Sequence, residues 1–390
     1  MADRGGTFDG VHRRNLSRIV RLVHREGPQS RAALTAATGL NRSTVGSLVA
    51  ELVEGGLVEE QAPGPARRAG RPSPMVALRH DIAVIAVNPE IDAIEIAAVT
   101  WTATVLLRER VLVDSVPTPD AAVDVISSVI RRWQAHELAS VRLLGVGVAV
   151  PGLVRAADGL VRLAPHLMWR ESPFAERVAE AVRLPTFVGN DATLGAHAEH
   201  IFGVARGVGD VVYVNGGASG IGGGLIIGGT VVMGAGGYAG EFGQNRPGFM
   251  RDDDRRTEGG VVEDEVNRAR LLDIVGLHAA DDVALSEALR DKQHEPRVAD
   301  EIARQRRIVA TTLANAVNVL NPSMIVLAGF LATLAEHDPD ALRQAIAAHA
   351  MPAAVDDVCL EVAALGSNRL MIGAAELALE PFVAAPDRAW

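Results

Sequence analysis

The chain is 390 residues long, 48% hydrophobic and only 4% aromatic, with 38 basic against 48 acidic residues and a formal charge of −10. That length gives two or three domains that each bury a core, and no apolar run approaches the roughly 18 residues of a membrane span. A single cysteine, Cys359, excludes an intrachain disulfide framework and any multi-cysteine metal site. The polar, charged N-terminus lacks the apolar segment of a signal peptide. A cytoplasmic protein with no metal or other cofactor is therefore expected.

The charge is unevenly placed. Residues 1–80 hold twelve arginines against seven acidic residues, so a basic N-terminal module precedes a strongly acidic body. Such a balance puts phosphate contact at one end of the chain.

Residues 11–26 set Leu16, Ile19, Val20 and Val23 at helical spacing, and Gly27-Pro28 ends that helix. Ser30 is a good N-cap for a second helix reaching about Thr38. Gly39-Leu40-Asn41 makes a tight turn, and Asn41 caps a third helix in which Val45, Leu48, Val49 and Leu52 face inward. Arg42, Ser43, Thr44 and Ser47 are left on the outer face near its start, where a recognition helix meets base edges and phosphates. Gly55-Gly56 ends it, and 57–60 and 75–78 read as the strands of a wing spanning 57–79. The wing tip carries Arg67, Arg68 and Arg71, the last held between Gly70 and Pro72, and suits entry into a narrow minor groove. Residues 1–80 thus predict a winged helix-turn-helix that binds double-stranded DNA; the plainer reading of the tip is a basic linker.

From residue 81 the pattern changes to alternating strands and helices rich in glycine. Residues 82–87, 93–100 and 104–110 read as consecutive strands, 121–138 as a helix, and 143–150 as a buried strand ending in Pro151-Gly152. A similar order recurs. Residues 211–215 and 223–227 read as strands about a glycine-rich turn, with 229–233 as a candidate third, before a helix over 304–320 and a strand over 324–327.

Four segments carry a resemblance. The strand Gly145-Val146-Gly147-Val148-Ala149-Val150-Pro151-Gly152 is followed by Gly189-Asn190-Asp191-Ala192. Next come Gly217-Ala218-Ser219-Gly220-Ile221-Gly222-Gly223-Gly224 and Gly240-Glu241-Phe242-Gly243. In order and spacing they resemble motifs of the ROK family, which groups sugar-responsive repressors with sugar kinases. The resemblance runs from about residue 11 to 380. It implies an α/β protein with an N-terminal winged helix-turn-helix followed by a two-lobed actin-like ATPase (ribonuclease H-like) sugar-kinase fold. Residues 81–390 would form the effector and oligomerisation domain. Its lobes would lie near 81–188 and 189–370, with a C-terminal helix returning to the first. It also implies that Asn190, Asp191, Glu241 and Glu263 contact a sugar, with His166 standing where the family has an asparagine. Two other readings stay open: Asn190-Asp191 as a capping turn into a helix over 192–200, with Asp as the cap, and His166 as an exposed loop residue.

The departures from the family pattern bear on function. Active kinases carry Asp-x-Gly-Gly-Thr where this chain has Asn88-Pro89-Glu90-Ile91-Asp92, and Gly329-Phe330 replaces a Gly-Gly. Without those glycines the backbone cannot approach phosphate, and Glu90 repels it. The family's zinc set, a His and three Cys, is matched by Gln244, Asp254, Arg256 and Val261, so 251–261 reads as a solvated loop with internal ion pairs. The expected function is that of a non-enzymatic transcriptional regulator, a repressor of carbohydrate-related genes. It would bind a palindromic operator as a homodimer or tetramer and take a sugar or sugar phosphate as effector. The alternatives are a ligand-independent regulator with a scaffold body, and an active sugar kinase.

Overall fold

Three helices open the computed structural model, which describes residues 5–62, 74–248, 251–278 and 280–389. They are α1 (Gly5–Glu26), α2 (Arg31–Thr38) and α3 (Arg42–Glu54). Leu16, Ile19, Val20 and Val23 of α1 are buried, as are Leu34 of α2 and Val45, Leu48, Val49 and Leu52 of α3. The inward stripes that helical spacing sets are the core of this module. Ser30 Oγ accepts the Ala33 amide to start α2, and Asn41 Oδ1 accepts the Thr44 amide to start α3. The wing is the antiparallel pair Val58–Gln61 and Met75–Leu78, and a two-residue strand, Gln29–Ser30, adds to its second member. Arg67, Arg68 and Arg71 of the wing tip lie outside the described residues.

By compactness the chain divides into two units, one of Met1–Ala149, Leu167–Gly189 and Ala374–Trp390, the other of Val150–His166 and Asn190–Gly373. Besides the three-helix module and its wing, the first unit holds a five-stranded sheet. Its order is Thr186–Asn190, Arg142–Val150, Ile82–Pro89, Ala93–Thr100, Val105–Leu112. Ile82–Pro89 is buried along its whole length; it pairs antiparallel with Ala93–Thr100 and parallel with Arg142–Val150. A Cβ at Gly147 would overlap the carbonyl of Ala374 in the C-terminal helix Arg369–Ala384. The Gly-x-Gly strand motif is therefore a packing device, admitting a helix backbone onto the strand.

The second unit repeats the plan. Its sheet runs Thr230–Val231, Gly220–Ile227, Val211–Gly217, Met324–Gly329, Cys359–Val362. The first three strands pair antiparallel and the last two are parallel to Val211–Gly217. The glycine-rich segment is a hairpin: Gly217 pairs with Gly220, leaving Ala218-Ser219 as the turn. The long helix Pro296–Leu320 buries Ile302, Ile308, Leu313 and Val317 in this unit's core. It starts eight residues before the expected helix, with Pro296 in its first turn. Among the described residues no helix is long and apolar enough to cross a membrane.

Candidate functional site

His166, Asn190, Asp191, Glu241 and Glu263 all line one cavity of about 410 Å³ within the second unit. Asn190 ends a strand and caps the helix Asp191–Phe202, its Oδ1 accepting the Thr193 amide at 2.9 Å. The cap is thus Asn190 rather than Asp191. The Asn190 Nδ2 donates to the Gly152 carbonyl at 3.0 Å and to Asp191 Oδ1 at 3.2 Å. Asp191 becomes the first helical residue, where its Oδ1 also accepts the Ala192 amide at 2.8 Å. A carboxylate is favoured at that end of a helix.

Glu263 sits on a one-turn helix, Val262–Glu265. Its Oε2 accepts the Ile221 amide at 3.1 Å and its Oε1 accepts Gln244 Nε2 at 2.6 Å. Gly220 lies at φ +123, and a Cβ there would stand 2.5 Å from Glu263 Oε2. Only glycine allows the hairpin to lie this close to the carboxylate.

Burial pushes the Asp191 carboxyl up to about 6, against the Ala192 amide and Arg369. Glu241 is raised as well, by burial first and then by the negative charges of Asp191 and Glu263. Three carboxylates line the cavity with no Arg or Lys among its lining residues; amides of Asn190, Asn215 and Gln244 add donors. Paired acceptors and amides of this kind suit vicinal hydroxyls.

Sequence reasoning missed Asn215, Ser219 and Tyr238, which also line the cavity. Asn215 had a usable signal, being a polar residue in the otherwise apolar and glycine strand Val211–Gly217. Tyr238 lies among glycines, with no periodicity to place it.

The residues matching the zinc set do not fit a zinc. Gln244 is spent on Glu263, Asp254 receives both Nε and Nη2 of Arg307, Arg256 is a cation and Val261 has no donor. Among the described residues no group of three or more His, Cys, Asp or Glu could hold a metal ion. The loop is not simply solvated either, since Asp254 is only 2% exposed.

In the first unit, Asn88–Asp92 is the turn between Ile82–Pro89 and Ala93–Thr100, closed by the Glu90 amide donating to the Ala93 carbonyl at 2.8 Å. Asn88 Nδ2 and Arg110 Nη2 both donate to Glu90, at 3.0 and 2.9 Å, and Arg110 also reaches Asp92. Arg110 therefore offsets the charge that Glu90 would present to a phosphate.

On α3, Arg42, Ser43 and Ser47 are exposed and Thr44 partly so. Ser43 Oγ donates to the capping Asn41 at 2.7 Å. Through α1 the module is also tied to the C-terminal segment of its own unit. His24 of α1 meets Glu376 at 2.9 Å in a buried pair, while Arg21 meets Glu380 and Arg13 meets Asp387 nearer the surface.

A family model described as the ROK family matches residues 84–381, and one described as the MarR family matches 14–69. The chain is 25% identical over 382 residues to the xylose repressor of Caldicellulosiruptor bescii, covering 92% of this chain and 94% of that protein. It is 30% identical over 286 residues to the glucokinase of Streptomyces coelicolor, covering 68% of this chain and 88% of that one. A solved ROK family transcriptional regulator, a homolog of the E. coli MLC protein, shares the fold. Its TM-score is 0.79 at 21% identity, over 98% of this chain and 99% of that one.

Proposed function

The chain belongs to the ROK family, and from that membership we propose a DNA-binding transcriptional repressor of carbohydrate-related genes that binds a sugar without phosphorylating it. The observation that carries the reading is the pairing of two sites in one chain. One is the face of a capped helix-turn-helix that carries exposed Arg42, Ser43 and Ser47 and partly exposed Thr44; the other is a cavity walled by Asp191, Glu241 and Glu263. The near full-length likeness to a xylose repressor supports the regulatory half. With three carboxylates and no Arg or Lys in its lining, the cavity favours an unphosphorylated sugar over a sugar phosphate, whose anion would meet like charge.

Phosphoryl transfer depends on positioning and on charge stabilisation around the phosphates. The turn Asn88–Asp92 is closed on its own ion pairs and offers Glu90 and Ile91 where a phosphate loop needs glycines. In a kinase the residue matching Asp191 would take the proton of the accepting hydroxyl. Here its role is to bind that hydroxyl. Two copies of the module would read a palindromic operator, so a homodimer or a dimer of dimers is the acting species.

The test is an anisotropy titration of the protein against DNA from its own upstream region. It is run at fixed salt with D-xylose, D-glucose, glucose 6-phosphate or no sugar. Sequence-dependent binding altered by a neutral sugar and not by the phosphate is expected. Binding indifferent to every sugar would remove the effector half. Sugar-dependent ADP formation, lost in Asp191→Ala, would restore the kinase reading.

A further inference from the structure

We propose that Arg304 is a positioning residue for the pocket: it clamps Glu265 and thereby fixes Glu263, two residues back on the same helical turn, at the cavity wall. The clamp forms whether or not a sugar is bound; its consequence for ligand affinity rests on the sugar-binding reading above.

Arg304 lies in the helix Pro296–Leu320 and is 2% exposed. A guanidinium has five N–H donors, and burying it is costly unless they are used. Here five hydrogen bonds are made. Nε and Nη2 donate to the two carboxylate oxygens of Glu301 at 2.9 and 2.7 Å. Nη1 donates to Glu265 Oε2 at 2.9 Å and to the Asp254 carbonyl at 2.8 Å, and Nη2 to the Glu265 carbonyl at 2.7 Å. Glu265, wholly buried, also accepts the backbone amides of Arg256 and Thr257, the latter at 2.7 Å. Its neighbours on the long helix complete the grip. Gln305 bridges the amide and carbonyl of Asn267, at 3.1 and 3.2 Å, and Arg307 holds the Asp254 carboxylate.

Three residues of one helix therefore pin the segment between Asp254 and Asn267. That segment needs it, because a helix of four residues cannot sustain itself. At about 100° per residue, Glu265 and Glu263 point to opposite sides of the turn. One enters the clamp; the other meets the Ile221 amide and Gln244 at the pocket. Where the resemblance implies a zinc, a buried ion-pair network supplies the cross-link.

Two variants test this, both in the full-length protein. Arg304→Met leaves Glu265 buried without its partner, so Arg304→Met/Glu265→Gln is made beside it to retain the fold. The readout is backbone hydrogen exchange at Ile221, whose amide is bonded to Glu263. At least tenfold faster exchange is expected there in both variants, with the amides of Met324–Gly329 unchanged and the wild type indifferent to EDTA. Unchanged protection at Ile221 in a folded double variant overturns the proposal, and so does loss of that protection on adding EDTA to the wild type.

D-glucose and D-xylose are then titrated calorimetrically. The double variant and Glu263→Gln should each bind at least tenfold more weakly than the wild type, with ligand-free DNA affinity within twofold. Wild-type affinity in a double variant that has lost Ile221 protection overturns the link to the ligand. If the wild type binds neither sugar, the sugar reading fails and the exchange data alone decide the clamp.

Discussion

At the scale of single residues, Asp191 and Gly220 hold the pocket in opposite ways, one by charge and one by having no side chain. Burial raises Asp191 to about 6, above its ordinary value of 3.8. A carboxyl raised on folding contributes most stability while it is protonated in both states, below about pH 4, and that contribution declines as pH rises through 6. The wild-type melting temperature should therefore fall between pH 4 and 7 by more than that of Asp191→Asn, which cannot titrate. Sugar affinity should move the other way, weakening below pH 6 as the acceptor is lost; matching pH profiles in the two proteins would remove Asp191 from both roles. Gly220 occupies a backbone region that side chains rarely adopt, and a methyl there would press on Glu263. Gly220→Ala should cost ~1–3 kcal/mol in denaturant unfolding and weaken sugar binding as well.

At the scale of elements, the proposed recognition helix α3 lets the framework of DNA binding be tested apart from its contacts. Asn41 starts the helix through the Thr44 amide, while Arg42 lies exposed beside it. Arg42→Ala should weaken operator binding by ~1–3 kcal/mol with no change in melting temperature. Asn41→Ala should lower both, the cap contributing ~1 kcal/mol. Operator affinity unchanged in Arg42→Ala would place recognition elsewhere.

These helices were legible because periodic burial and cap residues are local signals. The strand Gln29–Ser30 was not, since two residues carry no pattern and only their pairing with Met75–Val76 defines them. The first turns of Pro296–Leu320 were also missed. The clamp could not be read, because Arg304, Gln305 and Glu265 are polar residues that pattern reading assigns to the surface. The bonds that join the long helix to the Asp254–Asn267 segment span 38 or more positions in sequence. The pocket residues showed themselves only through motif resemblance, and that resemblance did not reveal which of Asn190 and Asp191 was the cap.

At the scale of the whole chain, the proposed sugar response requires the N-terminal module to feel the body, and α1 makes three ion pairs with the C-terminal segment. The outer pairs Arg13–Asp387 and Arg21–Glu380 are partly exposed, and such pairs contribute little. His24 and Glu376 are buried, so this pair is shielded from water where the other two are not. Burial alone would lower the His24 pKa, but the charge and hydrogen bond of Glu376, with a smaller contribution from the Trp101 backbone, outweigh it and leave the value above 6.5, against a smaller opposing effect of Arg25. A histidine raised on folding gives its full stabilisation below pH 6.5 and loses it as pH climbs through the folded value. Wild-type melting temperature should thus drop above pH 6.5 by more than that of His24→Gln. Salt at about 0.5 M should not abolish the difference, because a dry pair is screened far less than a surface one. The helix that supplies Glu376 begins at Arg369, which donates to Asn215 in the cavity wall at 3.1 Å. His24→Gln should therefore keep its sugar affinity while the sugar-dependent change in operator binding shrinks. A full sugar response in that variant would mean that the signal reaches the module without this contact.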